Sequence, residues 1–343
     1  MREIRLGRTD LKVSAIGFGG IPIQRLSKQE AVDVVRRCLD LGITFLDTAN
    51  GYTTSEERIG KAIAGRREGL VLATKTGSRE GEGAREHLAL SLERLGVETI
   101  DLYQLHCVSS EEDYEQVLAP GGPLDVLKEA QASGQIRHIG LTSHSMETAL
   151  KAARSGHFET IMFPFNFIAN EAAQELIPLV LELDAGFIAM KPLAGGALDN
   201  ATLAFKYLWQ FPQILPIPGI ERAEEIEEIV ALMEGPAEMA PSDREEIERL
   251  RAELGTRFCR RCGYCQPCPE AISVQLMMIM DSLLKRMPPD NVFANLSGVV
   301  DQAESCVECG ECEDKCPYNL PIREMMKEHV ALFRKEMAQT RSI

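Results

Sequence analysis

The sequence predicts an α/β chain built on a (β/α)8 barrel of the TIM type, with a small α-helical domain appended at the carboxyl end; three observations carry this. Between residues 13 and 232, strand-like and helix-like runs alternate strictly, and eight strand candidates over that length suit a closed barrel. Asp47, Lys75 and His106 stand at the ends of successive strand candidates, where barrels of this kind place their chemistry. Cysteine usage divides the chain, with only Cys38 and Cys107 before residue 259 and eight more crowded between Cys259 and Cys316. A doubly wound open sheet is the rival architecture, and the strand count disfavours it.

The elements follow in order. Residues 14–18 form the first strand candidate, an apolar run that stops at Gly19-Gly20. Residues 28–41 read as a helix, because Ala31, Val34, Val35, Cys38 and Leu39 recur at three-to-four spacing. Residues 44–46 are a short buried strand ending in a polar cluster that contains Gly51. Asp47 sits where that strand ends, Tyr52 lies on the loop beyond, and Ser55 stands in cap position for a helix running to Ile63. Further strands are expected at 70–74, 100–105, 136–141, 160–165, 187–190 and 214–217. Helical patterns at 84–95, 124–133, 145–154, 171–183, 200–210 and 223–233 separate or follow them.

Ser242 and the acidic residues after it open a further helix with a capping-box-like start, and Gly255 ends it. We therefore divide the chain into a barrel at 1–255 and a tail at 256–343. Within the tail, residues 271–284 are rich in Met and Leu and read as a packing helix, covering the cysteines or docking on the barrel.

The chain has 343 residues, 45% of them hydrophobic, enough for a substantial core. A net charge of −15 argues against nucleic acid and anionic membranes, since both call for clustered Lys and Arg. No apolar run reaches the roughly 18 residues of a spanning helix, and Met1-Arg2-Glu3-Ile4-Arg5 leads into no signal-peptide core. The expectation is a cytoplasmic protein with neither a membrane nor a nucleic-acid partner.

Reducing a carbonyl requires a hydride at carbon and an acid near the oxygen on which charge grows. A phenol, with an ordinary pKa of about 10, keeps its proton at neutral pH, and a neighbouring cation makes it easier to release. Tyr52 can be that acid in reduction and the base in oxidation. Lys75 can supply the cation, Asp47 can hold Lys75 in place, and His106 can donate a hydrogen bond to the carbonyl oxygen. Taken singly, a Lys or Asp at a strand end is usually solvated, and a lone His is usually a hydrogen-bonded bystander. It is their conjunction on successive strands that points to chemistry. None of these side chains delivers a hydride, so an organic cofactor is implied.

Over roughly residues 1–235 the sequence resembles the aldo-keto reductase superfamily. Asp47, Tyr52, Lys75 and His106 match its tetrad in identity, order and strand context. The stretch from Asp47-Thr48-Ala49 through Ser55-Glu56 to Gly60 matches its signature. Ile16-Gly17-Phe18-Gly19-Gly20, Gly140-Leu141-Thr142-Ser143, Lys191-Pro192-Leu193 with Gly195-Gly196, and Pro218-Gly219 complete the likeness. The resemblance implies a nicotinamide cofactor lying extended across the barrel mouth. It places Thr142 and Ser143 near the nicotinamide amide, and Lys191, Pro192 and Leu193 beside the pyrophosphate. Gly20 and Asp47 would lie near the nicotinamide end, with Gly219 also among the cofactor contacts.

This chain departs from the family at several positions. Met162 stands where a Gln is common, and Met190 where an aromatic often stacks. In the loop after Gly219, Arg222 is the one cation among Glu221, Glu224 and Glu225, and Glu228 stands near a usual Asn. Carboxylates repel a 2′-phosphate, so the cofactor is NADP(H) or NAD(H).

Cys306-x2-Cys309-x2-Cys312-x3-Cys316-Pro317 is the ligand run of bacterial ferredoxins. Cys259-x2-Cys262-x2-Cys265-x2-Cys268-Pro269 is one residue short in its last gap and looks like a partner run. Crossed ligation would give one [4Fe–4S] cluster to Cys259, Cys262, Cys265 and Cys316, and a second to Cys306, Cys309, Cys312 and Cys268. A single cluster and thiolate-bound zinc are the alternatives. Along its whole length the chain resembles the branch of the superfamily that carries a ferredoxin-like carboxyl-terminal extension.

The function expected is an NAD(P)H-dependent oxidoreductase interconverting an aldehyde or ketone and an alcohol, acting on a small carbonyl or alcohol substrate. The alternative is a nicotinamide-binding redox-sensing or electron-transfer subunit that works with a partner protein. In either case the clusters are redox-active, exchanging electrons with a redox partner protein, or they brace the tail.

Overall fold

A computed structural model describes residues 1–233, 235 and 238–340. Contacts gather the chain into two compact units, Met1–Met239 and Ala240–Ile343. The helix Pro241–Leu254 therefore falls with the second unit, whereas the sequence division at 255 places it with the first.

The first unit opens with a hairpin of β1 (Glu3–Arg5) and β2 (Lys12–Ser14), paired antiparallel. Eight parallel strands follow: β3 (Phe18–Gly19), β4 (Phe45–Asp47), β5 (Val71–Thr76), β6 (Ile100–Leu105), β7 (Ile136–Thr142), β8 (Thr160–Pro164), β9 (Gly186–Met190) and β10 (Ile214–Ile217). Each neighbours the next in chain order. β10 and β3 then meet, with Gly17 N donating to Pro216 O at 2.9 Å, Gly19 N to Pro218 O at 2.8 Å, and a parallel bridge between Gly19 and Gly219. The sheet thus closes into the barrel rather than staying open, and closure gives partners to backbone groups that an edge would leave unpaired. Glycine at 19 permits this seam, because a Cβ there would lie 2.7 Å from Pro218 O.

The amino terminus differs from the expectation of a strand at 14–18. Ser14 pairs with Glu3 in the hairpin, and barrel pairing begins only at Gly17 and Phe18. Ile4, Leu6, Val13 and Ala15 pack with the inward-facing Phe45, Val71, Leu102 and Leu215, so the hairpin plugs the amino-terminal end of the barrel. Strands three residues long are too short for period-two patterning to reveal them.

Outside the barrel, helices shield the strands. Lys28–Asp40 starts at a capping box in which Ser27 Oγ accepts from Glu30 N and the Glu30 carboxylate accepts from Ser27 N. Its buried face carries Ala31, Val34, Val35, Cys38 and Leu39; burying each of the larger ones stabilises the fold by roughly 1.5–3 kcal/mol. Burial pushes the Cys38 thiol up to about 12, so it packs as a small hydrophobe.

The second unit is helical, and among its described residues the helices Val274–Met277, Met280–Arg286, Pro289–Ala303 and Ile322–Thr340 share one core. Val274, Met277, Met280, Phe293 and Phe333 centre it, with cysteines of both runs packed against it. The single helix expected over 271–284 is broken at Met278-Ile279. The break lets Met278 and Met280 both be buried, which two positions two residues apart do not achieve on one helix face. No helix among the described residues is long and apolar enough to cross a membrane.

Candidate active site

Period-two alternation aims one side chain in two at the barrel interior. On β4 that set is Phe45 and Asp47; on β5 it is Val71, Ala73 and Lys75; on β6 it is Leu102 and Gln104, with His106 just beyond the strand end. Lys75 Nζ donates to Asp47 Oδ2 at 2.7 Å and to Thr48 O at 2.5 Å. Tyr52 reaches back over this pair, its ring centroid 5.2 Å from Lys75 Nζ. The His106 ring meets Tyr52 edge-on, with centroids 5.8 Å apart and planes at 78°. All four residues singled out in the sequence are therefore brought together at the carboxyl ends of β4, β5 and β6.

Backbone bonds fix the loop that carries Tyr52. Thr48 N donates to Ala73 O, Asn50 N to Lys75 O, and Tyr52 N to Ala49 O. The buried Glu56 accepts from Thr74 Oγ1 at 2.6 Å and pairs with Arg94 at 3.3 Å, and Arg94 also donates to Asn50 O. Gly20 lies under the loop: its N–H donates to Asp47 O, its carbonyl accepts from Ser55 Oγ, and a Cβ there would come within 2.8 Å of Asp47 O. On the other side, Arg79 donates to His106 O and Cys107 O and pairs with Asp113 at 2.5 Å, clamping the loop that follows His106.

Asp47 and Lys75 are almost completely buried, at 3% and 1% exposure, whereas Tyr52 and His106 are half-buried. Burial by itself pulls the Lys75 ammonium down, and the Asp47 charge beside it reverses this, so Lys75 is held above its ordinary value. Burial raises the Asp47 carboxyl, against the opposing charge of Lys75 and a hydrogen bond from Gln104. The outcome is an ammonium facing a phenol at a half-open mouth.

The residues implied as cofactor contacts lie around the same mouth. Thr142 Oγ1 accepts from Cys107 N at 2.8 Å, and Ser143 Oγ donates to Ser145 O at 3.1 Å, so both hydroxyls already brace the rim loops. After β9, Lys191, Ala194, Gly195 and Gly196 all take positive φ. Ala194 N donates to Lys191 O and Gly196 N to Leu193 O, coiling the Lys191-Pro192-Leu193 turn tightly. Gly219 sits at the barrel seam beside Pro22. Met162 packs inside the barrel, and Met190 lies partly buried against the same inner core. Beyond Gly219, the Glu225 carboxylate accepts from Glu221 N at 2.8 Å, Arg222 N at 3.1 Å and Arg222 Nε at 3.1 Å. The one cation of that stretch is thus held by a carboxylate of the same loop.

Two polar side chains of this region were not singled out in the sequence. Gln104 donates to Asp47 Oδ1 at 3.3 Å, and the alternation Leu102, Gln104, His106 was the signal that could have found it. Asn166 donates to Lys191 O at 2.9 Å and accepts from Ile168 N and Ala169 N, anchoring the turn after β9; no local pattern marks it.

In the second unit the cysteines gather in two sets that interleave the runs. One cavity is lined by Cys259, Cys262, Cys265 and Cys316, with Arg260, Arg261 and Tyr318. The other is lined by Cys268, Cys306, Cys309 and Cys312, with Val307 and Arg323. Burial, then the neighbouring Cys259 and Cys262 sulfurs, pushes the Cys265 thiol up to about 12, and burial raises Cys262 and Cys312 as well. Among the described residues no three His, Cys, Asp or Glu side chains group as a single ion would require.

Residues 15–203 match the family model described as the aldo/keto reductase family, and residues 258–321 match a 4Fe-4S dicluster domain. The oxidoreductase YqkF of Bacillus subtilis, named as uncharacterized, is 30% identical over 217 residues, covering 59% of this chain and 68% of that protein. The chain spans 60 to 68% of the length of this and two plant relatives. Among solved structures, the holo form of an aldo-keto reductase from Bacillus halodurans superposes with a TM-score of 0.64 at 23% identity, covering 73% of this chain and 96% of that one. An aldo/keto reductase from Klebsiella pneumoniae, solved with NADP and acetate, gives 0.62 at 22% identity over 73% and 95% of the two chains. At these identities the two structures speak for the fold.

Proposed function

This chain belongs to the aldo/keto reductase family and carries a 4Fe-4S dicluster domain, and from that premise we propose that it interconverts an aldehyde or ketone and an alcohol with a nicotinamide cofactor. The observation that carries the proposal is the Lys75 ammonium, 2.7 Å from Asp47 and 5.2 Å from the centre of the Tyr52 ring, with His106 against the same ring.

The nicotinamide, when bound, supplies the hydride to the carbonyl carbon or takes it from the alcohol. In reduction, Tyr52 passes its phenolic proton to the carbonyl oxygen as charge develops there. Lys75 stabilises the phenolate left behind, and Asp47 with Thr48 O keeps that ammonium in place. His106 donates a hydrogen bond that orients the carbonyl. In oxidation the same phenolate takes the proton from the alcohol.

The turn at Lys191–Ala194, with its positive-φ backbone and a lysine, suits a pyrophosphate. Thr142, Ser143, Gly20 and Gly219 are the further cofactor contacts in this reading. NADP(H) finds support in the NADP-bound Klebsiella relative, while the hold of Glu225 on Arg222 leaves room for NAD(H). In the tail, Cys259, Cys262, Cys265 and Cys316 would hold one [4Fe–4S] cluster, and Cys268, Cys306, Cys309 and Cys312 a second. Bound there, the clusters supply one-electron transfer, and a redox partner protein is their natural counterpart.

Tyr52→Phe tests the site. With NADPH and NADH against 4-nitrobenzaldehyde and 9,10-phenanthrenequinone, turnover should vanish while cofactor binding persists. Turnover that survives the substitution removes Tyr52 from the chemistry. An unmodified protein that binds nicotinamide tightly and reduces nothing favours an electron-transfer subunit instead.

A further inference from the structure

One polar row on the inner barrel wall extends beyond the four residues of the site. Register sets Lys75 beside Gln104, Gln104 beside Gly140 and Gly140 beside Thr160, across β5, β6, β7 and β8. Gln104 is fully buried, and its Nε2 donates to Asp47 Oδ1 at 3.3 Å while Lys75 takes Oδ2. Each carboxylate oxygen therefore has its own donor from a different strand. Gln104 Oε1 and Thr160 Oγ1 are buried with no partner among the described residues. Both side chains border Gly140, where an added Cβ would lie 2.2 Å from Thr160 Oγ1 and 3.1 Å from Gln104 Cγ. Glycine at 140 thus leaves the space that the Thr160 hydroxyl and the Gln104 stem occupy.

Burying an amide costs free energy wherever a hydrogen bond goes unmade, and a Met of similar size carries no such cost. What the amide does is orient a carboxylate. Lys75 alone anchors one oxygen and leaves the carboxylate free to swing about it; a second donor on the other oxygen removes that freedom. We propose that Gln104 is a positioning residue, which fixes Asp47 and through it the Lys75 ammonium that faces Tyr52. The proposal rests on the reading of the site given above. The charged or titratable groups facing Asp47 are Lys75 from β5 and His106 from the end of β6, and those facing Lys75 from the loops are Tyr52 and Cys107.

A donor to an ionised carboxylate favours the ionised form, so removing it makes Asp47 easier to protonate. In Gln104→Met the acid limb of the kcat profile for 4-nitrobenzaldehyde reduction should move up by about one pH unit, tenfold in proton affinity. The nicotinamide Kd should stay within about twofold, since uniform cofactor binding is untouched. Gln104→Glu, which sets a second carboxylate against the first, should move the limb at least as far. A limb that stays put in both variants overturns the proposal. So does a loss of kcat, cofactor affinity and thermal stability in step without a shift of the limb, which assigns Gln104 to packing. Either result, with Tyr52→Phe inactive, leaves the site reading intact, whereas an active Tyr52→Phe removes the reading itself.

Discussion

Replacing Lys75 with Met removes a charge from two relationships at once, and they can be measured separately. The first is catalytic. At 5.2 Å from the Tyr52 ring centre, a unit charge interacts with a phenolate by about 3 kcal/mol at an effective dielectric of 20. Expressed in the transition state, that is about two orders of magnitude in kcat. The second is structural. Asp47 is left buried without its partner, and breaking such a pair commonly costs about 3–5 kcal/mol when the remaining group stays ionised.

Asp47 has an escape, because burial already raises its proton affinity and the loss of Lys75 raises it further. A carboxyl whose folded pKa lies above its unfolded value gives stability that is fully present below the unfolded value. That stability is lost as pH rises through the folded pKa. Lys75→Met should therefore lose less stability at pH 5 than at pH 8. In the parent protein the Lys75 ammonium, held above its ordinary value of 10.5, should give stability that fades only on the alkaline side of that value. Urea melts at both pH values, with kcat for 4-nitrobenzaldehyde, measure the two effects. A kcat within about fivefold of the parent, or equal destabilisation at pH 5 and pH 8, would refute the buried ion pair as the source of both.

Two further expectations concern packing and the cysteine cages. Gly20→Ala puts a methyl 2.8 Å from Asp47 O and 2.9 Å from Ser55 Oγ; it should cost about 1–3 kcal/mol by denaturant melt and depress turnover by displacing Asp47. Protein prepared anaerobically should hold about eight iron and eight sulfide per chain if both cages fill. Cys316→Ser should then erase the electron paramagnetic resonance signal of the cluster that Cys259→Ser also erases, and Cys268→Ser the one shared with Cys306. If Cys316→Ser and Cys306→Ser affect the same centre, each run holds its own cluster and the crossed assignment fails.

The four site residues were legible because their chemistry is conspicuous and their positions are set by strand ends. Gln104 was passed over because a neutral amide on a strand usually means little; its meaning comes from Asp47, 57 residues away in the chain. Asn166 was invisible for the same reason, since its partner Lys191 lies on the next strand connection. The amino-terminal hairpin escaped because its strands are shorter than one alternation can mark. In the tail the Met-rich stretch was correctly expected to pack, but its break was not, because the demand to bury Met278 and Met280 together arises only once the core exists.

By itself the sequence determined the strand and helix alternation, the presence of a phenol, an ammonium, a carboxylate and an imidazole at successive strand ends, and the spacing of thiolates along each run. These are local properties, governed by backbone period and side-chain chemistry. Only the tertiary structure decided that Gly19 meets Gly219 to close the barrel, that Gln104 donates to Asp47, and that the Met-rich stretch breaks so that Met278 and Met280 are both buried. Such contacts join segments far apart in the chain, and each is held by the packing of the whole core rather than by any preference of its neighbours.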